Sequence, residues 1–261
     1  MKPSRYRSLS KVRVWMNDAM HFASKVPTGG FTIAIDVAAV AAARRTCPPL
    51  ISWTAIFVRA LALVARNEPA LRQCYMPAPW PHIYEHPYCN AGVVVERIWQ
   101  GQNAVFVDLV PQPENKSLRE IEDRIMGARW HAKVEAIGGF RRIIRTAGYP
   151  LPLRRLLWRI LLYVSGRLRM KYCGGFLVNT IPRGAHPIQS FVLSAIHLFI
   201  TRPEPNGQMN LVVFFDHRLI DGLMCGRIIK HLEETLSDQI VKELQFESHQ
   251  KILRAEQSAV P

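Results

Sequence analysis

The segment FFDHRLIDG, residues 214–222, carries the side chains best suited to catalysis. His217 lies four positions before Asp221, and Gly222 follows directly. A strand-to-helix turn can bring an imidazole and a carboxylate near each other, and glycine permits an unusual backbone angle or a close approach. Histidine is the usual general base near neutral pH, and it could take a proton from a thiol or hydroxyl that then attacks an acyl group. On spacing alone, the two residues could also be the ends of an ordinary turn.

Strand-like segments surround this candidate base. The run LVVFFD leads directly into His217 and predicts a strand that ends there. The other predicted strands share alternating or β-branched apolar residues: GGFTIAIDV, NAGVVVER, NAVFVDLV, GGFLVNT and SFVLSAIHLFI. His217 is therefore expected at the edge of a sheet.

Helical patterns alternate with these strands. GLMCGRIIKHLEETL leaves the motif as an amphipathic helix, and KSLREIEDRIMGARWHAK places apolar residues on one face. Residues 52–67 are apolar on nearly every side, which predicts a helix packed on more than one face. A basic helix is expected near residues 8–24, whereas the prolines of MPAPWPHIYEHPY break regular structure. The patterns predict one mixed α/β domain over residues 1–240, with a mobile tail at 241–261.

The composition limits the partners that we expect. Lys and Arg outnumber Asp and Glu by 34 to 20 in 261 residues, for a formal charge of +14. This charge favours an anionic partner such as a phosphorylated cofactor, nucleic acid or an acidic lipid surface. No recognised nucleic-acid reader motif accompanies it, so nucleic acid is not expected. The five cysteines lack CxxC spacing and predict reduced thiols in a cytoplasmic protein, with neither a disulfide framework nor a zinc site.

The motif and several other segments together resemble one family. FFDHRLIDG is similar to the signature FDHRxxDG of the acyltransferase core of 2-oxo acid dehydrogenase complexes and, more distantly, of chloramphenicol acetyltransferase. The resemblance continues in order along residues 8–238, through these segments: LSKVR, ISWTAIFVRALALVARNEPAL, NAGVVVER, KSLREIEDRI and FLVNT. It implies a two-layer α/β sandwich with a mixed sheet, the chloramphenicol acetyltransferase-like fold. The expected assembly is a trimer with its active sites between subunits.

The resemblance also implies roles for individual residues. His217 would be the general base, and Asp221 would hold the local geometry through an ion pair, with Arg13 as the candidate partner. The family stabilises the oxyanion with a hydroxyl in its FTISN segment, where this chain has FLVNT. The aligned serine position holds Asn179, with Thr180 next to it, and either side chain can donate a hydrogen bond. The implied reaction moves an acyl group between coenzyme A and a thiol or other acceptor, and it needs no metal.

The chain departs from the family at several positions. Asp18 to Met20 stand where a second arginine is usual, and Cys225 lies near the helix start, where we expect a packed residue rather than a nucleophile. Lipoyl and peripheral-subunit-binding domains have no place in this chain, so it is expected to carry no lipoyl group. Its acceptor could be a separate lipoylated protein, a carrier-protein thiol or a small molecule. The alternative is a weak or inactive family member that acts as a membrane-associated or scaffold binding module.

A basic amphipathic insertion is predicted at about residues 138–173. No acidic residue lies between Gly138 and Gly175, and leucines recur there at helical spacing. Three interpretations stay open: a core-packing helix with solvated or subunit-paired arginines, a membrane-surface helix anchored by Trp158 and Tyr163, or a contact for coenzyme A phosphates or an acidic carrier protein. The expected location is cytoplasmic, with peripheral membrane contact as an option. No run of about 18 uncharged apolar residues predicts a transmembrane span.

Overall fold

The structure, a computed structural model, describes residues 8–185, 187–190 and 192–258. The helices are α1 Lys11–Ala23, α2 Ala38–Arg45, α3 Trp53–Asn67, α4 Leu118–Met126, α5 Gly138–Ala147, α6 Leu151–Arg159, α7 Gly166–Cys173, α8 Gly222–Thr235 and α9 Val241–Ser258. The strands are β1 Thr28–Asp36, β2 Gln73–Met76, β3 His82–Glu85, β4 Asn90–Trp99, β5 Gln102–Pro111, β6 Phe176–Thr180, β7 Ile196–Ile200 and β8 Gln208–Asp216. In the part of the chain that it describes, no helix has the length and apolar character needed to cross a membrane.

Six strands form one mixed sheet in the order β1-β8-β7-β6-β4-β5. The pairs β4/β6 and β6/β7 are parallel, and the other pairs are antiparallel. Helices α3 and α8 pack together, and both contribute to the main core with side chains of the central strands. Helix α3 is buried along nearly its whole length because its apolar residues surround it. A mixed sheet covered by helices confirms the fold class expected from the sequence.

Local sequence signals determine where several elements begin and turn. The Ser52 hydroxyl accepts the Ala55 amide at the start of α3, and Ser117 with Glu120 forms a complete capping box on α4. The IWQGQ turn joins β4 to β5 through Gln100 and Gly101, both with positive φ. Such a two-residue turn matches the twist of a hairpin, and glycine adopts its backbone angles without strain.

Two regions differ from the expectations. The proline-rich segment is not wholly irregular, because β2 and β3 pair across it as a two-stranded ribbon. Residues 241–258 of the segment expected to be a mobile tail form helix α9. There Leu244 is fully buried in the main core, and Glu243 pairs with Arg59 at 2.7 Å. These few buried contacts fix a segment whose other residues are mostly polar.

The segment predicted as a basic insertion folds into helices α5, α6 and α7. Asp18 on α1 is only 1% exposed and receives Arg154 Nε at 2.8 Å and Arg155 Nε at 3.4 Å. Trp158 packs between α1 residues, stacking on Phe22. The insertion is therefore tied to α1 by both charge and aromatic packing.

Candidate functional site

His217 lies immediately after β8, where the sequence places it. Its amide donates to the Pro27 carbonyl at 2.8 Å, which ties the residue to the chain entering β1. The side chain is exposed, and its ring centroid is 5.6 Å from that of Phe215. A methyl group on Gly29 would come within 3.2 Å of the imidazole Cδ2, so the absence of a side chain at Gly29 leaves space for the ring. The imidazole therefore lies exposed at the end of β8, an inner strand of the sheet.

Asp216 fixes the backbone beside this histidine. Its carboxylate is fully buried and accepts Arg218 Nε at 2.8 Å and Arg218 Nη2 at 2.6 Å. A second guanidinium, that of buried Arg169, lies 3.8 Å away. The Arg218 guanidinium also stacks over the Tyr75 ring at 4.5 Å. Neither Asp216 nor Arg169 was predicted from the sequence, although Asp216 and Arg218 flank His217 as a pair of opposite charges.

Asp221 lies at the start of α8, four residues after His217. Its Oδ1 accepts the Met224 amide at 2.7 Å and thereby caps α8. Across the described residues, no hydrogen bond or ion pair joins Asp221 to His217 or to Arg13. Arg13 is exposed on α1, where its amide donates to the Ser10 hydroxyl. The structure therefore places Asp221 at the helix start near His217 but does not bring Arg13 to it.

Gly222 does not have the backbone role expected of it. It begins α8 without a positive φ, and a methyl group added there would meet nothing within 4 Å. Neither an unusual backbone angle nor a close approach within this chain requires glycine at the position. The space in front of Gly222 is instead open on the exposed side of the turn.

Asn179 and Thr180 end β6 at the opposite end of the sheet from His217. The Thr180 hydroxyl lies 2.9 Å from that of Thr54, which also accepts Arg129 Nη2 at 3.1 Å. Asn179 pairs with Phe199, which in turn pairs with Val212 on β8. From Val212 to His217 is five positions, or about 16 Å along the strand direction. One chain therefore does not bring the candidate base and the candidate oxyanion donors together.

A basic depression of about 770 Å³ is lined by Trp53, which precedes Thr54 in the chain, and by Arg183, which follows Thr180 by three positions. Its charged lining residues are four arginines and one carboxylate: Arg44, Arg45, Arg183, Arg202 and Glu204. The Arg44 guanidinium stacks over Trp53, the residue before Thr54, at 5.4 Å. Guanidinium groups bind phosphate oxygens in two-pronged geometry, so this depression suits a phosphorylated cofactor.

The remaining candidates are structural. Cys225 is fully buried, and burial raises the pKa of its thiol to about 12. Its burial confirms the expectation that Cys225 is a packed residue. Among the described residues, no group of three His, Cys, Asp or Glu side chains is arranged to hold a metal ion.

No protein-family profile and no curated protein matches this chain, but solved structures do. One is the dihydrolipoamide acetyltransferase of Azotobacter vinelandii, with a TM-score of 0.67 at 14% identity, covering 90% of this chain and 92% of that one. Another is the probable dihydrolipoamide acetyltransferase of Listeria monocytogenes, with a TM-score of 0.61 at 16% identity, covering 89% and 94%. A third is a truncated catalytic core of the 2-oxoacid dehydrogenase multienzyme complex of Thermoplasma acidophilum, with a TM-score of 0.61 at 19% identity, covering 90% and 99%.

These likenesses show the fold of the chain. They extend over about nine tenths of it, which confirms the fold expected from the resemblance in the sequence. In the Azotobacter enzyme, a serine, a histidine and an asparagine have been investigated for their role in the catalytic mechanism. The asparagine there lies four positions after the histidine, the same spacing as between His217 and Asp221 here.

Proposed function

We propose that the protein is an acyltransferase that moves an acyl group between coenzyme A and a thiol or small-molecule acceptor, with His217 as the general base. The observation that carries this proposal is the exposed His217 imidazole, held at the end of β8 by the buried ion pairs of Asp216. The fold shared with dihydrolipoamide acetyltransferases supports acyl transfer as the reaction class. The acceptor is a dihydrolipoyl group, a carrier-protein thiol or a small molecule, and no metal takes part.

His217 would begin the reaction by taking the proton of the acceptor thiol. The thiolate attacks the carbonyl carbon of the acyl thioester, and a new carbon–sulfur bond forms as the carbonyl oxygen becomes negative. Asn179 or Thr180 donates a hydrogen bond to that oxygen, an interaction worth roughly 3–4 kcal/mol of barrier in other acyl-transfer enzymes. The tetrahedral intermediate then expels the coenzyme A thiolate, which takes the proton from the imidazolium.

Assembly of at least two copies would complete this site. Because His217 and Asn179 lie at opposite ends of the sheet in one chain, the base of one copy must face the oxyanion donors of another. A closed ring of three copies repeats one such contact three times, which is the trimer implied by the sequence resemblance. The arginines of the basic depression lie on the Thr180 side, where they would hold the phosphates of coenzyme A.

Release of coenzyme A thiol from acyl-CoA tests this function. Purified protein is supplied with acyl-CoA of several chain lengths and with dihydrolipoamide or another thiol, and free coenzyme A is measured. We expect acceptor-dependent release, and we expect Arg202→Glu to raise the KM for acyl-CoA about tenfold because it reverses one phosphate-binding charge. Arg141→Glu, an equal charge change away from the depression, is the matched control. Release that no acceptor accelerates, for any acyl chain, would contradict the proposal.

A second candidate function is peripheral membrane binding, and the surface of α6 favours it. Six large apolar side chains are exposed at helical spacing on α6 and on the helical turn Ile160–Val164 that continues it: Leu151, Leu153, Leu156, Leu157, Ile160 and Val164. Leu151 is 53% exposed and Val164 is 62% exposed, and exposed Arg159 and Arg167 lie nearby in the sequence. A helix with an apolar stripe and flanking arginines binds the interface of anionic bilayers. The proposed setting is the cytoplasmic surface of a membrane.

Sedimentation with liposomes tests the membrane contact. We expect binding to vesicles that contain anionic phospholipid, and at least tenfold weaker binding after Leu153→Glu with Leu156→Glu, because burial of each leucine contributes roughly 1.5–3 kcal/mol. Ile98→Glu, at another exposed apolar position, is the matched control. Equal binding of both variants and the wild type would assign the α6 surface another role.

A further inference from the structure

A cavity of about 390 Å³ lies on the side of the sheet opposite the main core. Leu177 forms part of its floor, and this side chain points away from those of its core neighbours Phe176 and Val178 because successive strand residues face opposite sides. Helices α1, α5, α6 and α7 supply most of the remaining walls. The volume falls in the range of roughly 300–1,000 Å³ that is usual for pockets that bind small molecules.

The walls of this cavity are mainly apolar and aromatic. The apolar lining residues include Trp15, Ile143, Leu157, Trp158, Leu161 and Leu168. Leu157 also belongs to the exposed apolar stripe of α6, so the cavity continues onto that surface. An aliphatic chain can pass from the surface into the cavity without leaving apolar surroundings.

The charged groups around the cavity are predominantly cationic. Arg142 and Arg145 line it from successive turns of α5, and in the described part of the chain neither forms an ion pair. The Arg142 guanidinium lies 5.0 Å from the centroid of the Tyr172 ring, which also lines the cavity. The single lining carboxylate, that of Asp18, is held by Arg154 and Arg155. An anionic group at this rim would therefore meet two guanidinium groups whose charge no carboxylate neutralises.

Arg169 links the lining of the cavity to the residue before the candidate base. Leu193 and Ser194 line it, and the Leu193 carbonyl accepts Arg169 Nε at 3.3 Å. Arg169 in turn pairs with Asp216, the residue before His217. A chain bound in the cavity would reach toward the strand end that carries the imidazole.

We propose that this cavity is a binding site for an amphiphile with a long aliphatic chain and an anionic head group. The chain lies among Trp158, Leu161 and Leu168, and the head group binds Arg142 and Arg145 at the rim. The assignment depends on the shape and charge of the cavity and stands whether or not the protein transfers acyl groups.

Calorimetric titration with dodecyl phosphate below its micelle concentration tests the site. We expect one molecule to bind per chain, with affinity rising from octyl to dodecyl phosphate, and no measurable binding of inorganic phosphate at the same concentration. Arg145→Glu should weaken binding of dodecyl phosphate about tenfold, since it replaces a charge-assisted contact by a repulsive one. Arg141→Glu, four positions earlier on the same helix and outside the cavity, should leave the affinity within about twofold.

A filling substitution and a competition experiment complete the test. Ala147→Phe places a ring in the cavity and should abolish binding of the longer chains. If this variant does not fold, the comparison of Arg145→Glu with Arg141→Glu is the test of the site. Competition by dodecanoyl-CoA would identify the acyl thioester as a source of the chain, and dodecyl phosphate binding without such competition would identify a lipid. Both results support the site. Absent binding by the wild type, or equal effects of Arg145→Glu and Arg141→Glu, would overturn it.

Discussion

Replacement of His217 by alanine is expected to lower kcat for acyl transfer by about 10²–10⁴-fold, the usual contribution of a positioned general base. The KM for acyl-CoA should change little, because the proposed phosphate contacts lie in the basic depression and not at the imidazole. Because His217 is exposed, its replacement should not unfold the protein, and the free energy of unfolding should stay close to that of the wild type. A lower kcat would then report lost chemistry and not lost folding. The measurement is coenzyme A thiol release under saturating acyl-CoA.

His131→Ala is the matched control, since His131 is also exposed but lies outside the proposed site. It should retain wild-type activity. Equal rates for the wild type and His217→Ala, across acyl chains and acceptors, would show that His217 is not the general base. Such a result would not contradict the fold.

The same variant tests assembly of the site from two copies. His217→Ala and the double variant Asn179→Ala with Thr180→Val should each be inactive alone. When the two chains are co-expressed in equal amounts, one interface in four pairs an intact histidine with intact oxyanion donors, so about a quarter of wild-type activity should return. No recovery in mixed oligomers would contradict a site shared between subunits.

Replacement of Asp216 by asparagine is expected to be the most destabilising of the substitutions considered. The carboxylate is fully buried, and its loss leaves Arg169, only 3% exposed, without a counter-charge. Breaking one partner of a buried ion pair costs about 3–5 kcal/mol because the remaining charge stays desolvated. The side chain of asparagine has nearly the same shape, so the effect would report charge and not volume.

Denaturant unfolding monitored by circular dichroism measures this loss, with urea m-values checked for equality between the proteins. Asp238→Asn provides the contrast, because Asp238 pairs with Lys242 at the surface and both side chains are more than half exposed. Exposed pairs contribute about 0–1 kcal/mol. If Asp216→Asn cost no more than Asp238→Asn, the buried ion pairs would not be what holds the turn before His217.

The elements that position His217 were predictable because their signals are local. Alternation predicted β1, and the apolar run LVVFFD predicted β8. The hydroxyls of Ser52 and Ser117 accept nearby amides at helix starts, which again involves only neighbouring residues. Asp221 shows where local spacing is insufficient. A carboxylate at the start of a helix can turn toward a histidine four residues earlier or toward an amide three residues later, and the structure has the second arrangement. The same sequence is compatible with both arrangements.

Contacts between distant parts of the chain cannot be predicted from local sequence patterns. Asp216 and Arg169 are 47 positions apart, and nothing in the spacing of either predicts that both are buried together. The same holds for Leu244, whose burial depends on the groove that α9 occupies and not on its polar neighbours. The separation of Asn179 from His217 became visible only when the strand register was known.

The attachment of Asp18 to Arg154 and Arg155 has an evolutionary consequence. Asp18 begins the segment Asp18 to Met20, which stands where the resembled family usually has a second arginine, and its two cationic partners come from the segment predicted as an insertion. A lineage that shortened residues 138–173 while keeping Asp18 would leave a buried, uncompensated carboxylate at a cost of about 3–5 kcal/mol, a large fraction of the stability of an ordinary domain. The aspartate and the helical segment are therefore expected to be inherited or lost together, as one compensated pair of changes.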